Sequence, residues 1–263
     1  MSRQKPKLAV HKFSSCDGCQ LALLNLGDAL LQLPELFEIV HFAEAGPNAP
    51  DSQVAIALVE GSISTPEDVH RIQRVRENSQ FLVAMGTCAT SGGIQALVNF
   101  NDRDTWMAAV YPDPKQIDVL QTSNRISDYV KVDLRLQGCP VNSAQVITAL
   151  GDLLSGVQPL EEVQPVCMAC KRNGVVCVMV SKDEPCMGPV TLSGCGALCP
   201  ANGRGCYGCY GPSEIVNDTS LADRFNTMGI DREAMAKRFH FIANSADAFK
   251  AAGERLKGDP DGR

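Results

Sequence analysis

The chain has 263 residues, room for one large domain or for a domain with a smaller appendage. Hydrophobic residues make up 44% and charged residues 21%, and the net charge of −6 argues against a surface built for nucleic acid or acidic lipid. No apolar run approaches the roughly 20 residues that cross a bilayer, so no membrane span is expected. The first seven residues, Met1 to Lys7, show neither an apolar signal core nor a twin arginine, and a cytoplasmic location is expected.

Residues 1–158 read as alternating strand and helix. Lys7 to Phe13 is a short apolar strand, followed by Ser14-Ser15-Cys16-Asp17-Gly18-Cys19 and a helical run from Gln20 to Leu33. Phe37 to Phe42 and Val54 to Val59 are the next strands, the second leading into Glu60-Gly61-Ser62. Thr65-Pro66-Glu67-Asp68 is a helix start, with a capping threonine, an early proline and early acids, and that helix should reach Asn78. Phe81 to Met85 is a buried strand ending in Gly86-Thr87-Cys88, after which comes a less regular stretch with Trp106. Val130 to Leu136 is a strand ending in Gln137-Gly138-Cys139-Pro140, and Asn142 caps a helix to Leu154. This alternation predicts an α/β fold with a parallel sheet, in which ligands bind beyond the carboxyl ends of the strands. Cys16, Cys19, Cys88 and Cys139 each follow a predicted strand and should converge at one sheet edge.

Composition changes after Gly156-Val157-Gln158-Pro159. Between Cys167 and Cys209 lie eight cysteines in 43 residues, too poor in core-forming residues to fold on hydrophobic burial alone. Residues 159–212 therefore read as a cysteine-rich domain held by metal, and residues 213–263 as a short helical tail with runs near 220–226, 231–239 and 246–256. Residues 257–263 should fray.

Twelve cysteines in all fit three four-thiolate sites, and six disulfides are disfavoured in a reducing compartment. With four histidines in the chain, all-thiolate sites are favoured over mixed ones. The later set is Cys167, Cys170, Cys177 and Cys186, then Cys195, Cys199, Cys206 and Cys209, each half with one tight Cys-x-x-Cys pair. Spacing alone does not choose between zinc and iron–sulfur clusters. Two zinc ribbons would leave the sheet-edge set unexplained. The glycines around Cys88 lack the Gly-Lys-Ser/Thr ending of a phosphate loop, and no dinucleotide fingerprint or nucleophile elbow is present. Glu60 reads by default as a solvated acid; its functional reading is a carboxylate beside the first metal site, relaying protons or ordering loops.

Taken together, Ser15-Cys16-Asp17-Gly18-Cys19-Gln20, Glu60-Gly61-Ser62, Gly86-Thr87-Cys88-Ala89, Gly138-Cys139-Pro140 and Cys186-Met187-Gly188-Pro189-Val190-Thr191 resemble the small subunit of [NiFe] hydrogenases. The resemblance covers residues 7 to 212. It implies a flavodoxin-like domain with a proximal [4Fe–4S] cluster on Cys16, Cys19, Cys88 and Cys139. It further implies a distal cluster on Cys167, Cys170, Cys177 and Cys186, and a medial one on Cys195, Cys199, Cys206 and Cys209. Periplasmic members use histidine where this chain has Cys167 and a three-thiolate medial site where it adds Cys199. They also carry a twin-arginine leader. These departures resemble the delta subunits of soluble NADP-linked hydrogenases of the sulfhydrogenase type.

The resemblance implies an electron-transfer oxidoreductase subunit with three [4Fe–4S] clusters. The NiFe centre would lie on a large-subunit partner, and FAD and NAD(P) on iron–sulfur and diaphorase subunits. No cysteine follows Cys209, so the second nickel-binding pair of that large subunit is absent from this chain. Three alternatives stand beside it: a hydrogenase small subunit serving a deazaflavin or heterodisulfide acceptor, a quinone-reductase subunit of the respiratory complex I type, and a zinc-stabilised interaction protein without redox activity.

Overall fold

The structure is a computed structural model, and it describes residues 5–258. In chain order the N-terminal half runs β1 (Lys7–Lys12), α1 (Gly18–Leu24), α2 (Asp28–Leu36), β2 (Glu38–Phe42), β3 (Val54–Glu60), α3 (Pro66–Glu77), β4 (Ser79–Met85), α4 (Gly86–Ser91), α5 (Arg103–Val110), β5 (Leu134–Leu136) and α6 (Ser143–Leu154). The five strands form one parallel sheet in the order β2-β1-β3-β4-β5. The α/β reading of the sequence is correct.

Strand periodicity divides the core between the two faces of the sheet. Leu8, Val10, Ile56, Leu58, Val83 and Met85 pack one face against Leu23, Leu33, Val146 and Leu150 of the helices. Ala9, Ala57, Val59, Leu82 and Ala84 face the other way, toward Ile72, Val75, Ala89 and Ile126. Thr65 caps α3 with a full capping box, its hydroxyl accepting from the Asp68 N–H while Asp68 accepts from the Thr65 N–H. Asn142 accepts from the Ala144 N–H at 2.9 Å and caps α6 as expected.

Helices α4 and α5 form where the sequence reading has a strand end and a less regular stretch, and two expected elements differ in extent. The helix expected from Gln20 to Leu33 is two helices, because Gly27 takes a positive φ of 60° and turns the chain between α1 and α2. The last strand is three residues, not seven. Asp133 explains it: its carboxylate accepts from the Leu82 N–H at 2.9 Å and from Arg76 at 2.5 Å, so ladder pairing begins at Leu134.

The second half runs α7 (Val166–Arg172), α8 (Val178–Ser181), α9 (Leu198–Ala201), α10 (Asp218–Thr227), α11 (Arg232–Phe239) and α12 (Asp247–Gly258). The cysteine-rich segment does not stand on its own. One apolar core joins its Val166, Ala169, Val178, Met187 and Val190 to Leu221, Phe225, Met235, Phe239, Phe249 and Leu256 of the last three helices. Those helices supply the burial that the sequence of 159–212 lacks. Helix α12 reaches Gly258, past the expected fraying point, and the rest of the expected tail lies outside the described residues. No helix among the described residues is long and apolar enough to cross a membrane.

Candidate metal centres

The loop Ser14–Cys19 leaves β1 beside β3, where neighbouring connections run to opposite sides of the sheet. Crevices at the carboxyl ends of parallel strands form at such a point. Asp17 adopts a left-handed φ of 64° to start α1, and its side chain does not cap the helix. Glu60, at the end of β3, does that work from 41 residues away. One carboxylate oxygen accepts from the Cys19 N–H at 3.1 Å and the other from the Gln20 N–H at 3.2 Å. Glu60 is 2% exposed, so the solvated default is wrong and the loop-ordering reading fits its contacts. Burial raises its pKa, and the two N–H donors pull it back.

Glycines let backbone reach the sulfurs. A Cβ on Gly86 would collide with the Cys19 sulfur, and one on Gly93 would sit 2.6 Å from the Cys88 sulfur. Both take positive φ, which glycine adopts without strain. The Cys88 thiol donates to Gln95 at 3.4 Å, and the Gln95 amide donates to the Ser14 carbonyl at 3.0 Å, tying the β4 loop to the β1 loop. Burial raises Cys88 to about 12, and Cys139 and Cys16 add like charge. Burial also raises Cys19, with Glu60, Cys88 and Cys139 next, and Cys139, with Cys16 and Glu60 next. The four thiols of the expected sheet-edge set are thus electrostatic neighbours despite their wide separation along the chain. Cys16 and Cys139 are exposed, so the edge opens to the surface.

In the second half the sulfurs again feel one another's charge. Burial raises Cys167 to about 11, with Cys186, Cys170 and Cys177 adding to it and Lys171 opposing. Burial raises Cys209 to about 12, with Cys195, Cys139 and Cys199 following. Cys206 is likewise raised, by burial and then by Cys186 and Cys209. Cys186 adjoins both later sets. Its sulfur accepts from the Cys206 N–H at 3.1 Å and the Gly188 N–H at 3.4 Å, and a Cβ on Gly188 would lie 3.2 Å from Cys186 Sγ and 3.7 Å from Cys167 Sγ. The Cys206 sulfur accepts from the Gly208 N–H at 3.4 Å.

Two residues missed in the sequence join the first set to the later ones. Thr87 donates its hydroxyl to the Cys209 carbonyl at 2.5 Å. Tyr210 is 4% exposed, with its ring between the Gly138 turn before Cys139 and the Gly194 turn before Cys195. A Cβ on Gly138 would stand 2.8 Å from that ring, and one on Gly194 would overlap it. Aromatic residues beside cysteines carry no sequence signal for such a role.

The donor chemistry fits iron–sulfur clusters. All twelve cysteines are free thiols, N–H groups already point at two of the sulfurs, and no histidine stands among them. The rings of His11 and His41 meet at a tilt within the sheet, centroids 4.8 Å apart, and His240 stacks on Phe100 at 4.2 Å. Among the described residues no three His, Cys, Asp or Glu side chains stand at the spacing of a single-ion site. Burial makes these thiols resist ionising, and a cationic metal core would offset that cost while displacing the protons.

Residues 16–153 match the family model of the NADH ubiquinone oxidoreductase 20 kDa subunit. The chain is 40% identical to the sulfhydrogenase 2 subunit delta of Pyrococcus furiosus, covering 84% of this chain and 98% of that one. It is 30% identical to a vhu subunit of the F420-non-reducing hydrogenase of Methanocaldococcus jannaschii, over 79% of this chain and 82% of the other. Among solved structures, a chain of an NAD+-reducing [NiFe]-hydrogenase in the H2-reduced state superposes with a TM-score of 0.56 at 26% identity, covering 60% of this chain and 96% of that one.

Proposed function

The chain belongs to the small-subunit family of [NiFe] hydrogenases, and from that premise we propose that its electron-transfer role runs through three [4Fe–4S] clusters. Each cluster, when bound, takes up and releases one electron at a time. Cys16, Cys19, Cys88 and Cys139 hold the proximal one, at the exposed sheet edge where the H2-activating large subunit docks. Cys195, Cys199, Cys206 and Cys209 hold the medial one. Cys167, Cys170, Cys177 and Cys186 hold the distal one, at the exit toward iron–sulfur and FAD-containing subunits that exchange electrons with NADP or NAD. The observation that carries this reading is the linking of the three cysteine sets by hydrogen bonds: Thr87, beside Cys88, donates to the Cys209 carbonyl at 2.5 Å, and the Cys206 N–H donates to the Cys186 sulfur at 3.1 Å.

The protein's own part is to hold, orient and dry. Glu60 fixes the first turn of α1 so that Cys19 faces Cys88. Thr87 and Tyr210 lock the flavodoxin-like half against the cysteine-rich half, which sets the distance between the first two sites. A nicotinamide acceptor is inferred from the NAD+-reducing structural neighbour. Replacing Cys139 with serine in the native complex tests the wiring. H2-driven dye reduction through the chain should fall at least about tenfold, while NADPH-to-dye activity of the flavin subunits persists. Unchanged H2-driven dye reduction in an intact complex would contradict the assignment, whereas equal loss of both activities with dissociation of the subunits points to a collapsed complex.

A further inference from the structure

The cysteine-rich face carries a charge pattern opposite to that of the whole molecule. Residues 166–212 hold four cations, Lys171, Arg172, Lys182 and Arg204, against two carboxylates, Asp183 and Glu184, in a chain of net charge −6. Asp183 is already paired with Arg224 of α10 at 3.3 Å. All four cations are exposed, and among the described residues none of them makes an ion pair. Their contacts are neutral: Arg172 donates to the Gln164 side chain at 2.7 Å, and Lys182 to the Gly203 carbonyl at 3.5 Å.

Hydrogen bonds gather these loops onto one side. Asn173, just past α7, donates to the Gly196 carbonyl at 2.9 Å, which brings the Lys171–Arg172 end beside the Cys195–Cys199 loop. The Lys182 bond to Gly203 joins the end of α8 to the loop that carries Arg204, and the Arg204 N–H returns to the Cys199 carbonyl at 3.0 Å. Among the cations stand Val176, Val180 and Leu198, 70%, 82% and 63% exposed, with the exposed Cys177 on the segment that carries the two valines. Three bare branched side chains inside a ring of unpaired charge match the dry centre and polar rim of a protein interface.

We propose that this face docks an electron-carrying protein whose contact surface is acidic. Val176, Val180 and Leu198 form the contact centre over Cys177, and Lys171, Arg172, Lys182 and Arg204 meet carboxylates of the partner at the rim. The inference rests on the reading of Cys177 as a ligand of the outermost cluster and adds the chemistry of what meets it. A cationic rim steers an acidic partner and repels a basic one, and it does so against the long-range repulsion of a net-negative chain. A chain this acidic needs such a local reversal to receive an acidic carrier.

A zero-length carbodiimide, which joins amines directly to carboxylates, applied to the native complex tests this. Mass spectrometry should find Lys171 and Lys182 linked to Asp or Glu of an iron–sulfur or flavin subunit. The paired change Lys182→Glu with Arg204→Glu should weaken retention of that subunit on the tagged chain by about tenfold and flatten its salt dependence, with iron content unchanged. The milder Lys182→Gln with Arg204→Gln should give a smaller change in the same direction. Links from these lysines to the H2-activating subunit, or retention unchanged by both pairs, would overturn the proposal. So would a shift of the clusters' midpoint potentials with docking intact, since the cations would then serve the clusters alone. If the wild-type chain lacks iron at the outer set yet the links form, the cluster reading fails and the docking face stands.

Discussion

Tyr210 is the residue through which the two halves of the molecule are held in register. Its ring fills the space between two glycine turns, each directly before a cysteine, and neither glycine can take a side chain without striking it. Tyr210→Ala should cost about 3–5 kcal/mol, the loss expected when a large buried aromatic leaves a void, whereas Tyr210→Phe should stay within about 1 kcal/mol. Anaerobic thermal unfolding of the iron-loaded chain separates the two, and equal effects would contradict a packing role for the ring. Glu60 plays a comparable part at the sheet edge. Its buried carboxylate accepts two N–H donors, and Glu60→Ala should destabilise by about 1–3 kcal/mol because both donors are stranded. A variant with unchanged unfolding midpoint and full iron content would contradict that role. Gly-Thr-Cys, Gly-Cys-Pro and the early Cys-x-x-Cys are legible in the sequence because each is a local strand-to-loop pattern. Thr87 and Gln95 are not, because the carbonyls they bond lie 122 and 81 residues away. Tyr210 is hidden for the same reason, since it packs on turns that only the folded chain brings together.

At the scale of elements, β1 and β2 carry a pH dependence of their own. His11 is 3% exposed and His41 7%, and their rings meet at a tilt across the pair of strands. Burial drives His11 down to about 3, with His41 and Arg71 adding like charge. Burial lowers His41 as well, with Arg71 adding and Asp51 opposing. A folded pKa below the unfolded one means that the unfolded chain binds the extra proton. The stability contribution is therefore complete above the ordinary value of 6.5 and falls as pH drops from there toward about 3. Urea unfolding should show the wild type weakening between pH 7 and 5 more steeply than His11→Gln, and parallel slopes would contradict the assignment. The last three helices make the second element-level point. Their sequence is mostly polar, and helical periodicity places them well but shows no partner for them. Phe225, Phe239 and Phe249 are each at most 1% exposed and close the core over the cysteine-rich loops. Phe239→Ala should cost about 3–5 kcal/mol and lower iron retention in the later cysteine sets before the sheet edge. Loss confined to the sheet-edge set would contradict this division. The early break at Gly27 and the short β5 are hidden for a different reason: a turn and a carboxylate–ladder exchange leave the hydrophobic pattern intact.

For the whole molecule, the parallel sheet and the helix-backed cysteine-rich half act as two supports for the twelve free thiols. Alternating strands and helices reveal the first support in advance, since period and loop residues are enough to place a strand end. The second support depends on packing between segments that share no local pattern. In the proposed wiring all twelve cysteines ligate, four to each of three iron–sulfur clusters, inside a larger hydrogenase complex. Iron analysis with redox-titrated EPR on the native complex, prepared without oxygen, tests this most directly. Three four-thiolate clusters should give about twelve irons assigned to this chain, three separate centres and no titratable thiol in its native state. An iron content of about eight with four free cysteines, or zinc in place of iron at the later sets, would contradict it.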